Sequence, residues 1–117
     1  MLKILLAEDD RLTRDTLAKF LRASGYEVEV AADGAEAHSR LNEQKFDLVV
    51  SDVVMPNGNG WELVDHLNSI SPETPMLLMT AYSPARSLNQ GARPPEVIMK
   101  PLVLTDFLSK IQKLIGA

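Results

Sequence analysis

The segment Leu48-Val49-Val50-Ser51-Asp52 constrains the fold of this chain most, because it is a short apolar run that ends in a carboxylate. Such a run predicts a strand that is buried on both faces. Pro56 and the sequence Asn57-Gly58-Asn59-Gly60 follow it, and both are typical of turns. In an open α/β sheet, ligands bind beyond the carboxyl ends of the strands. We therefore expect Asp52 at the active edge of the sheet.

The composition excludes several classes of protein. The chain has 117 residues, of which 45% are hydrophobic and 24% charged, which indicates one globular domain with one core. It has no cysteine, which excludes disulfides and thiolate metal sites and favours a reducing compartment such as the cytoplasm. No apolar run approaches the roughly 20 residues of a membrane span. A net charge of −4 with scattered basic residues argues against direct nucleic-acid binding.

Apolar strand patterns alternate with helical patterns along the whole chain. The strands are predicted over residues 3–7, 26–31, 48–52, 76–80 and 96–100, and the helices over residues 12–23, 35–43, 60–69, 83–89 and 104–115. In the first helix, Leu17, Phe20 and Leu21 mark the buried face, with Leu12 one turn earlier. This alternation predicts a parallel sheet with right-handed crossovers and helices on both faces.

Several of the predicted strands end at residues with charged or hydroxyl side chains. A parallel sheet would bring these residues to one edge: Glu8, Asp9, Asp10, Asp52, Thr80 and Lys100. Crowded carboxylates are tolerated only if they are protonated, paired with cations or bridged by a metal. Oxygen ligands without histidine or cysteine suit Mg²⁺, which keeps several waters and so leaves room for a phosphate.

Taken one at a time, these residues have plainer interpretations. Asp9 or Asp10 would complement the dipole of the first helix, and Asp52 would form a turn. Thr80 is an ordinary strand residue, and a lysine before a proline is usually solvated. Their joint placement at successive strand ends is what favours a functional site.

The motifs Ile4-Leu5-Leu6-Ala7-Glu8-Asp9-Asp10, Ser51-Asp52-Val53-Val54-Met55-Pro56 with Gly60, Thr80-Ala81 and Lys100-Pro101 resemble the receiver domain of two-component response regulators. The resemblance covers nearly the whole chain. It implies a flavodoxin-like, doubly wound sheet of five parallel strands in the order 2-1-3-4-5, with five helices on two faces. It also implies one receiver domain over residues 1–117, with no output domain in this chain.

The resemblance also implies a role for each site residue. Asp52 would be the phosphoacceptor, and Asp9 and Asp52 would hold Mg²⁺ together with the backbone carbonyl of Val54. Glu8 would reach the metal through water. Thr80 would bind a phosphoryl oxygen and Lys100 would pair with it.

The activity implied is transfer of a phosphoryl group to Asp52 from a phosphohistidine of a sensor histidine kinase or phosphotransfer protein, or from a small phosphodonor. Positioning and charge neutralisation matter most in such a transfer. The protein would not be an enzyme in the usual sense, since it would assist only its own phosphorylation and slow dephosphorylation. Phosphorylation would shift a surface that binds a downstream protein, and it would allow a phosphorylation-dependent homodimer.

The sequence departs from the family at the positions that usually carry the output. Val97 stands where Tyr or Phe precedes the lysine by three residues, and Leu102 stands where an aromatic commonly follows Lys-Pro. The predicted fourth helix over residues 83–89 is shorter than in the family, and Arg93-Pro94-Pro95 leads into the last strand. We therefore expect an output that does not use a Thr–aromatic switch, unless Tyr82 supplies the aromatic.

A second departure concerns the lifetime of the phosphorylated state. The side chains two positions after the phosphoacceptor and two after the threonine flank the path of the attacking water in the family. Here they are Val54 and Tyr82, an apolar and a bulky group. We expect both to hinder water and to slow self-dephosphorylation.

Other functions fit the sequence less well. A receiver-like interaction module that works without phosphorylation is the main alternative. A flavodoxin would need a phosphate-binding loop after the first strand, and an aspartyl-phosphate hydrolase would need a second acid at Val54. Asn57 and Asn59 lack the acidic pattern of a calcium loop. His38 and His66 fall outside the cluster, on predicted helices, where surface positions are expected.

Overall fold

A computed structural model describes residues 1–81 and 95–116 of the chain. Its strands form one parallel sheet in the order β2-β1-β3-β4-β5. Their bounds are β1 Lys3–Ala7, β2 Glu27–Ala31, β3 Leu48–Asp52, β4 Met76–Thr80 and β5 Glu96–Met99. The predicted five-stranded parallel sheet and its strand order are confirmed.

Four helices lie in the described residues: α1 Arg11–Ala23, α2 Gly34–Glu43, α3 Gly60–Ile70 and α4 Leu104–Ile115. Five were expected. The remaining one, predicted over residues 83–89, lies outside the described residues, as do Tyr82 and the pair Arg93-Pro94. None of the helices in the described ranges is long and apolar enough to cross a bilayer.

The sheet separates two apolar clusters because successive side chains of a strand point to opposite faces. Ile4 and Leu6 of β1 pack with Leu17 and Leu21 of α1 and with Phe107 of α4. On the other face, alternate residues of the same strands pack against α2 and α3, among them Leu5, Ala7, Ala37, Leu41, Val49, Leu63 and Leu67. The core thus holds the strands rigidly and leaves their carboxyl ends at one edge.

The apolar stripes predicted for the helices are not buried at every position, and Ile70 and Leu104 are exposed as well as Leu12. Leu12 was expected on the buried face of α1, but it is 76% exposed. It lies five residues before Leu17, which turns it about 140° away from that residue around the helix. The buried face of α1 therefore begins at Leu17.

Two glycines allow the loop between β3 and α3 to pack closely against the rest of the protein. A Cβ on Gly60 would lie 2.7 Å from the carbonyl oxygen of Asp52, and a Cβ on Gly34 would overlap the carbonyl oxygen of Gly58. Gly34 also donates its N–H to the Pro56 carbonyl at 3.1 Å. These contacts require glycine, because any side chain would push the loop away from the edge of the sheet.

Candidate functional site

Three carboxylates meet at the carboxyl ends of β1 and β3. Each of Glu8, Asp9 and Asp52 offers a carboxylate oxygen, and these oxygens lie within 4.8 Å of one another. Glu8 is only 2% exposed and Asp52 is 8% exposed, whereas Asp9 faces solvent. The strands bring them together because Ala7 of β1 and Ser51 of β3 are register partners, so the next residue on each strand reaches the same edge.

Asp10, the third acid in the run, has a different task. It is the N-cap of α1, and its carboxylate accepts a 2.9 Å hydrogen bond from the backbone N–H of Thr13. The Thr13 hydroxyl also donates to this carboxylate, and the hydroxyl bond first and the backbone bond second hold the pKa of Asp10 below its ordinary value. The helix-start interpretation is thus correct for Asp10, and Glu8 and Asp9 remain for the cluster.

Lys100 supplies a positive charge to the cluster. Its Nζ donates to Asp52 Oδ2 at 2.5 Å and lies 4.0 Å from Glu8 Oε2. Partial burial alone would lower the pKa of Lys100, but the hydrogen bond to Asp52 and the nearby carboxylate charges outweigh it, so the pKa is raised. Lys100 therefore stays cationic and holds one oxygen of Asp52.

Glu8 is the most buried carboxylate in the cluster. Its Oε2 atom is buried and has no hydrogen-bond partner within the described part of the chain. Burial, followed by the neighbouring Asp52 carboxylate, raises the pKa of Glu8 to about 7. A buried acceptor without a partner costs roughly 1–3 kcal/mol. Three adjacent oxygen ligands with such an atom among them fit a hard divalent cation.

The loop after β3 fixes the other oxygen of Asp52. The backbone N–H of Val54 donates to Asp52 Oδ1 at 3.2 Å, and Gly60 donates its N–H to the Val53 carbonyl at 2.9 Å. Val54 turns its side chain outward, where it is 68% exposed. Both carboxylate oxygens of Asp52 are therefore oriented by the protein, one by Lys100 and one by the loop.

Thr80 ends the neighbouring strand. Asp52 is the register partner of Met79, so Thr80 lies one residue nearer the edge on β4, and it is 4% exposed. Its carbonyl accepts the backbone N–H of Lys100 at 2.8 Å, which joins the ends of β4 and β5. All the predicted site residues thus gather at one edge of the sheet.

Residues 4–112 match the family model of the response regulator receiver domain. The chain belongs to this family. It is 38% identical over 120 residues to the response regulator receiver protein CpdR of Brucella abortus (strain 2308), which covers 100% of this chain and 99% of that protein. It is 33% identical over 116 residues to the regulatory protein VanRB of Enterococcus faecalis, where it covers 97% of the chain and 52% of VanRB. The receiver domain thus spans nearly all of CpdR but about half the length of VanRB.

Solved structures support the same family. The response regulator TrrA of Thermotoga maritima, solved in complex with Mg²⁺-BeF, is similar to this receiver domain with a TM-score of 0.85 and 30% sequence identity. The match covers 97% of this chain and 99% of the TrrA chain. The predicted flavodoxin-like topology is thereby confirmed for the sheet.

One residue that shapes the site of this receiver domain carries no signal in the sequence. Arg14, in the first turn of α1, donates from Nη1 to the carbonyl of Glu8 at 3.0 Å and to that of Asp9 at 3.4 Å. These bonds hold the backbone between β1 and α1. No pattern in the sequence marks the contact, because it depends on how α1 turns back over the loop.

Two further residues lie outside the cluster, as expected. His38 of α2 and His66 of α3 are half-buried, and their ring centroids are 4.7 Å apart in an edge-to-face contact. His66 Nε2 also lies 2.9 Å from Asn42 Oδ1. Burial and the charge of His38 lower the pKa of His66. The pair packs α2 against α3.

Proposed function

We propose that this receiver domain accepts a phosphoryl group on Asp52. The observation that carries the proposal is the position of the Asp52 carboxylate, which lies beside Glu8 and Asp9 and has one oxygen held by Lys100 at 2.5 Å. The donor would be a phosphohistidine of a sensor histidine kinase or phosphotransfer protein, or a small phosphodonor. Because such a kinase draws its phosphate from ATP, we expect the protein to work in the cytoplasm.

In the proposed transfer, an Asp52 oxygen forms a bond to phosphorus while the phosphorus–nitrogen bond of the donor histidine breaks. The electron pair of that bond leaves with the imidazole nitrogen. Lys100 neutralises negative charge that the carboxylate and the incoming group share, and the Val54 N–H keeps the carboxylate oriented. Such transfer depends on positioning and electrostatics rather than on covalent help.

The carboxylate cluster also fits a magnesium ion. Asp9 and Asp52, with the Val54 backbone carbonyl, would hold Mg²⁺, and Glu8 would reach it through water. When bound, the ion supplies positive charge next to the phosphoryl oxygens. The unpartnered oxygen of Glu8 and the TrrA complex with Mg²⁺-BeF support this assignment.

The output of phosphorylation would pass through Thr80, whose hydroxyl would meet a phosphoryl oxygen. Val97 of β5 is partly buried against the core cluster on the face of the sheet that α2 and α3 cover. It has no aromatic ring that could turn inward when Thr80 moves. We therefore propose a change in a protein-binding surface that does not use a Thr–aromatic switch. The partner would be a downstream protein or a second copy of the chain.

Intact-mass spectrometry after incubation with acetyl phosphate or phosphoramidate tests the phosphoacceptor. We expect the mass of one phosphoryl group to be added in Mg²⁺ and not in EDTA, and not to Asp52→Asn. Asp15→Asn makes the same chemical change on an exposed position of α1 and should be phosphorylated like the wild type. No addition under any condition would refute the proposal and favour an interaction module that works without phosphorylation.

A further inference from the structure

The loop between β3 and α3 contains two identical dipeptides, Asn57-Gly58 and Asn59-Gly60. In an Asn-Gly pair, the amide nitrogen of the glycine can attack the carboxamide carbon of the asparagine, because glycine has no side chain to block the approach. The dipeptides have the same intrinsic chemistry. The structure surrounds them differently.

Few hydrogen bonds hold the two reacting groups of the first pair, although Gly58 is half-buried. Asn57 is exposed and has φ of 55°, and Gly58 has φ of 116°. Among the described residues, none accepts a hydrogen bond from the Gly58 amide. The carboxamide of Asn57 makes one hydrogen bond in the same part of the chain, from Nδ2 to Asp33 Oδ2 at 3.2 Å at the surface.

Both reacting groups of the second pair are held. Gly60 is buried, and its amide donates to the Val53 carbonyl at 2.9 Å. The side chain of Asn59 caps α3, where Oδ1 accepts the backbone N–H of Glu62 at 3.0 Å. The Glu62 carboxylate in turn accepts the backbone N–H of Asn59 at 3.1 Å, which completes a capping box. Attack by Gly60 on the Asn59 carboxamide would require the Gly60 hydrogen bond and the side-chain cap of Asn59 to open.

We propose that Asn57 is a site of spontaneous deamidation with water as the co-reactant, and that the fold protects Asn59 from the same reaction. The Gly58 nitrogen forms a bond to Cγ of Asn57 while the Cγ–Nδ2 bond breaks. Ammonia leaves with the amide proton of Gly58, and a five-membered succinimide remains. Water then opens either carbonyl of the ring and leaves an aspartate or an isoaspartate at position 57.

The product would disturb the contact between this loop and the start of α2. A carboxylate at position 57 would face Asp33, the N-cap of α2. The backbone N–H of Glu36 and then the Asn57 carboxamide hold the pKa of Asp33 below its ordinary value. A carboxylate in place of this carboxamide would instead raise the pKa of Asp33. An isoaspartate would also lengthen the backbone where Gly58 presses on Gly34, a place with no spare room.

This inference is independent of the proposed phosphorylation, and peptide mass mapping tests it on the full chain. After incubation in mildly alkaline buffer, we expect a gain of about 1 Da at Asn57, the mark of deamidation. Because Asn59 must first break its cap and the Gly60 hydrogen bond, its rate should be lower by at least about tenfold. An isoaspartyl methyltransferase should label the Asn57 peptide, which reports passage through the succinimide.

Two variants and one condition sharpen the test. Asn57→Gln should remove the mass gain, and Asn59→Ser, which keeps an N-cap hydroxyl, should leave the rate at Asn57 unchanged. In concentrated urea the two pairs should react at similar rates, because the fold no longer separates them. Equal rates in the folded protein, or a mass gain without isoaspartate, would overturn the proposal.

Discussion

Two clusters of charged side chains in this receiver domain differ in how their carboxylates are compensated. Glu29 of β2 faces two cations, with Lys3 Nζ at 3.7 Å and Arg40 Nη1 at 3.4 Å, and it accepts a hydrogen bond from Gln44. Its side chain is 29% exposed. At the carboxyl edge of the sheet, Glu8, Asp9 and Asp52 share Lys100.

The difference indicates what each cluster is for. The Glu29 cluster is a structural ion-pair network in which each charge meets an opposite charge. The edge cluster keeps excess negative charge in a partly buried place, which destabilises the fold unless a cation or a proton arrives. Removal of one carboxylate should therefore have opposite effects on stability in the two clusters.

The largest effect on the free energy of unfolding is expected for Glu8→Gln in metal-free protein. The folded pKa of about 7 lies above the ordinary value of 4.5, so between these values the folded state binds more protons than the unfolded state. The free energy of unfolding then falls as pH rises through this window, by up to about 3 kcal/mol. Glu8→Gln should remove this decrease and be the more stable protein above neutral pH, as measured by urea unfolding in EDTA.

The wild type and Glu8→Gln should have similar stabilities at the acidic end of the window, where Glu8 is protonated in both states. If the cluster holds Mg²⁺ as proposed, added Mg²⁺ should stabilise the wild type more than the variant, since the variant lacks one of the three carboxylates. Parallel pH profiles for the two proteins would contradict the raised pKa of the buried Glu8.

Lys100→Met should have the next largest effect on the free energy of unfolding. It leaves the three carboxylates without their cation and should lower the free energy of unfolding by about 1–3 kcal/mol, less than for a fully buried pair because the lysine side chain is 30% exposed. Urea unfolding in EDTA at neutral pH measures the effect.

Lys110→Met is the matched control, because Lys110 pairs with Glu96 at 3.7 Å on the surface. It should change stability by no more than about 0.5 kcal/mol. Equal losses in the two variants would show that Lys100 is an ordinary surface lysine.

Glu29→Gln should lower stability, in contrast to Glu8→Gln. The change leaves Lys3 and Arg40 without their shared carboxylate and should cost about 0.5–1 kcal/mol, because the pairs are partly exposed to solvent. Thermal unfolding measures this loss of stability. Asp15→Asn is the reference variant, because the pair of Asp15 with Arg11 is highly exposed. A stabilising effect of Glu29→Gln would remove the contrast between the clusters.

The smallest effect is expected in the lifetime of the phosphorylated state, provided that Asp52 is the phosphoacceptor. The Val54 side chain is exposed next to Asp52 and has no polar group to orient water. Val54→Asn, and more strongly its combination with Tyr82→Glu, should speed loss of the phosphoryl group a few-fold. Decay followed by intact mass after removal of the donor measures it, and an unchanged rate in the double variant would exclude this role.

Local patterns in the chain were sufficient for most of the fold. The apolar runs and their turn residues predicted each strand to within a residue of its observed bounds, and the strand-end acids predicted the cluster. Burial was less predictable at the helix ends, as for Leu12, whose apolar character suggested burial although its angle on α1 points it to solvent. The helix predicted over residues 83–89 lies outside the described residues, so it stays a prediction.

The sequence by itself determined which residue types stand at the strand ends, because a parallel sheet brings those ends to one edge wherever the strand pattern is clear. Only the tertiary structure decided how they are used. It separated Asp10 as a helix cap from Glu8 as a buried acid, and it made one Asn-Gly pair open and the other closed. The physical reason is that burial and hydrogen-bond partners come from distant segments, and these set the charge and reactivity of a side chain.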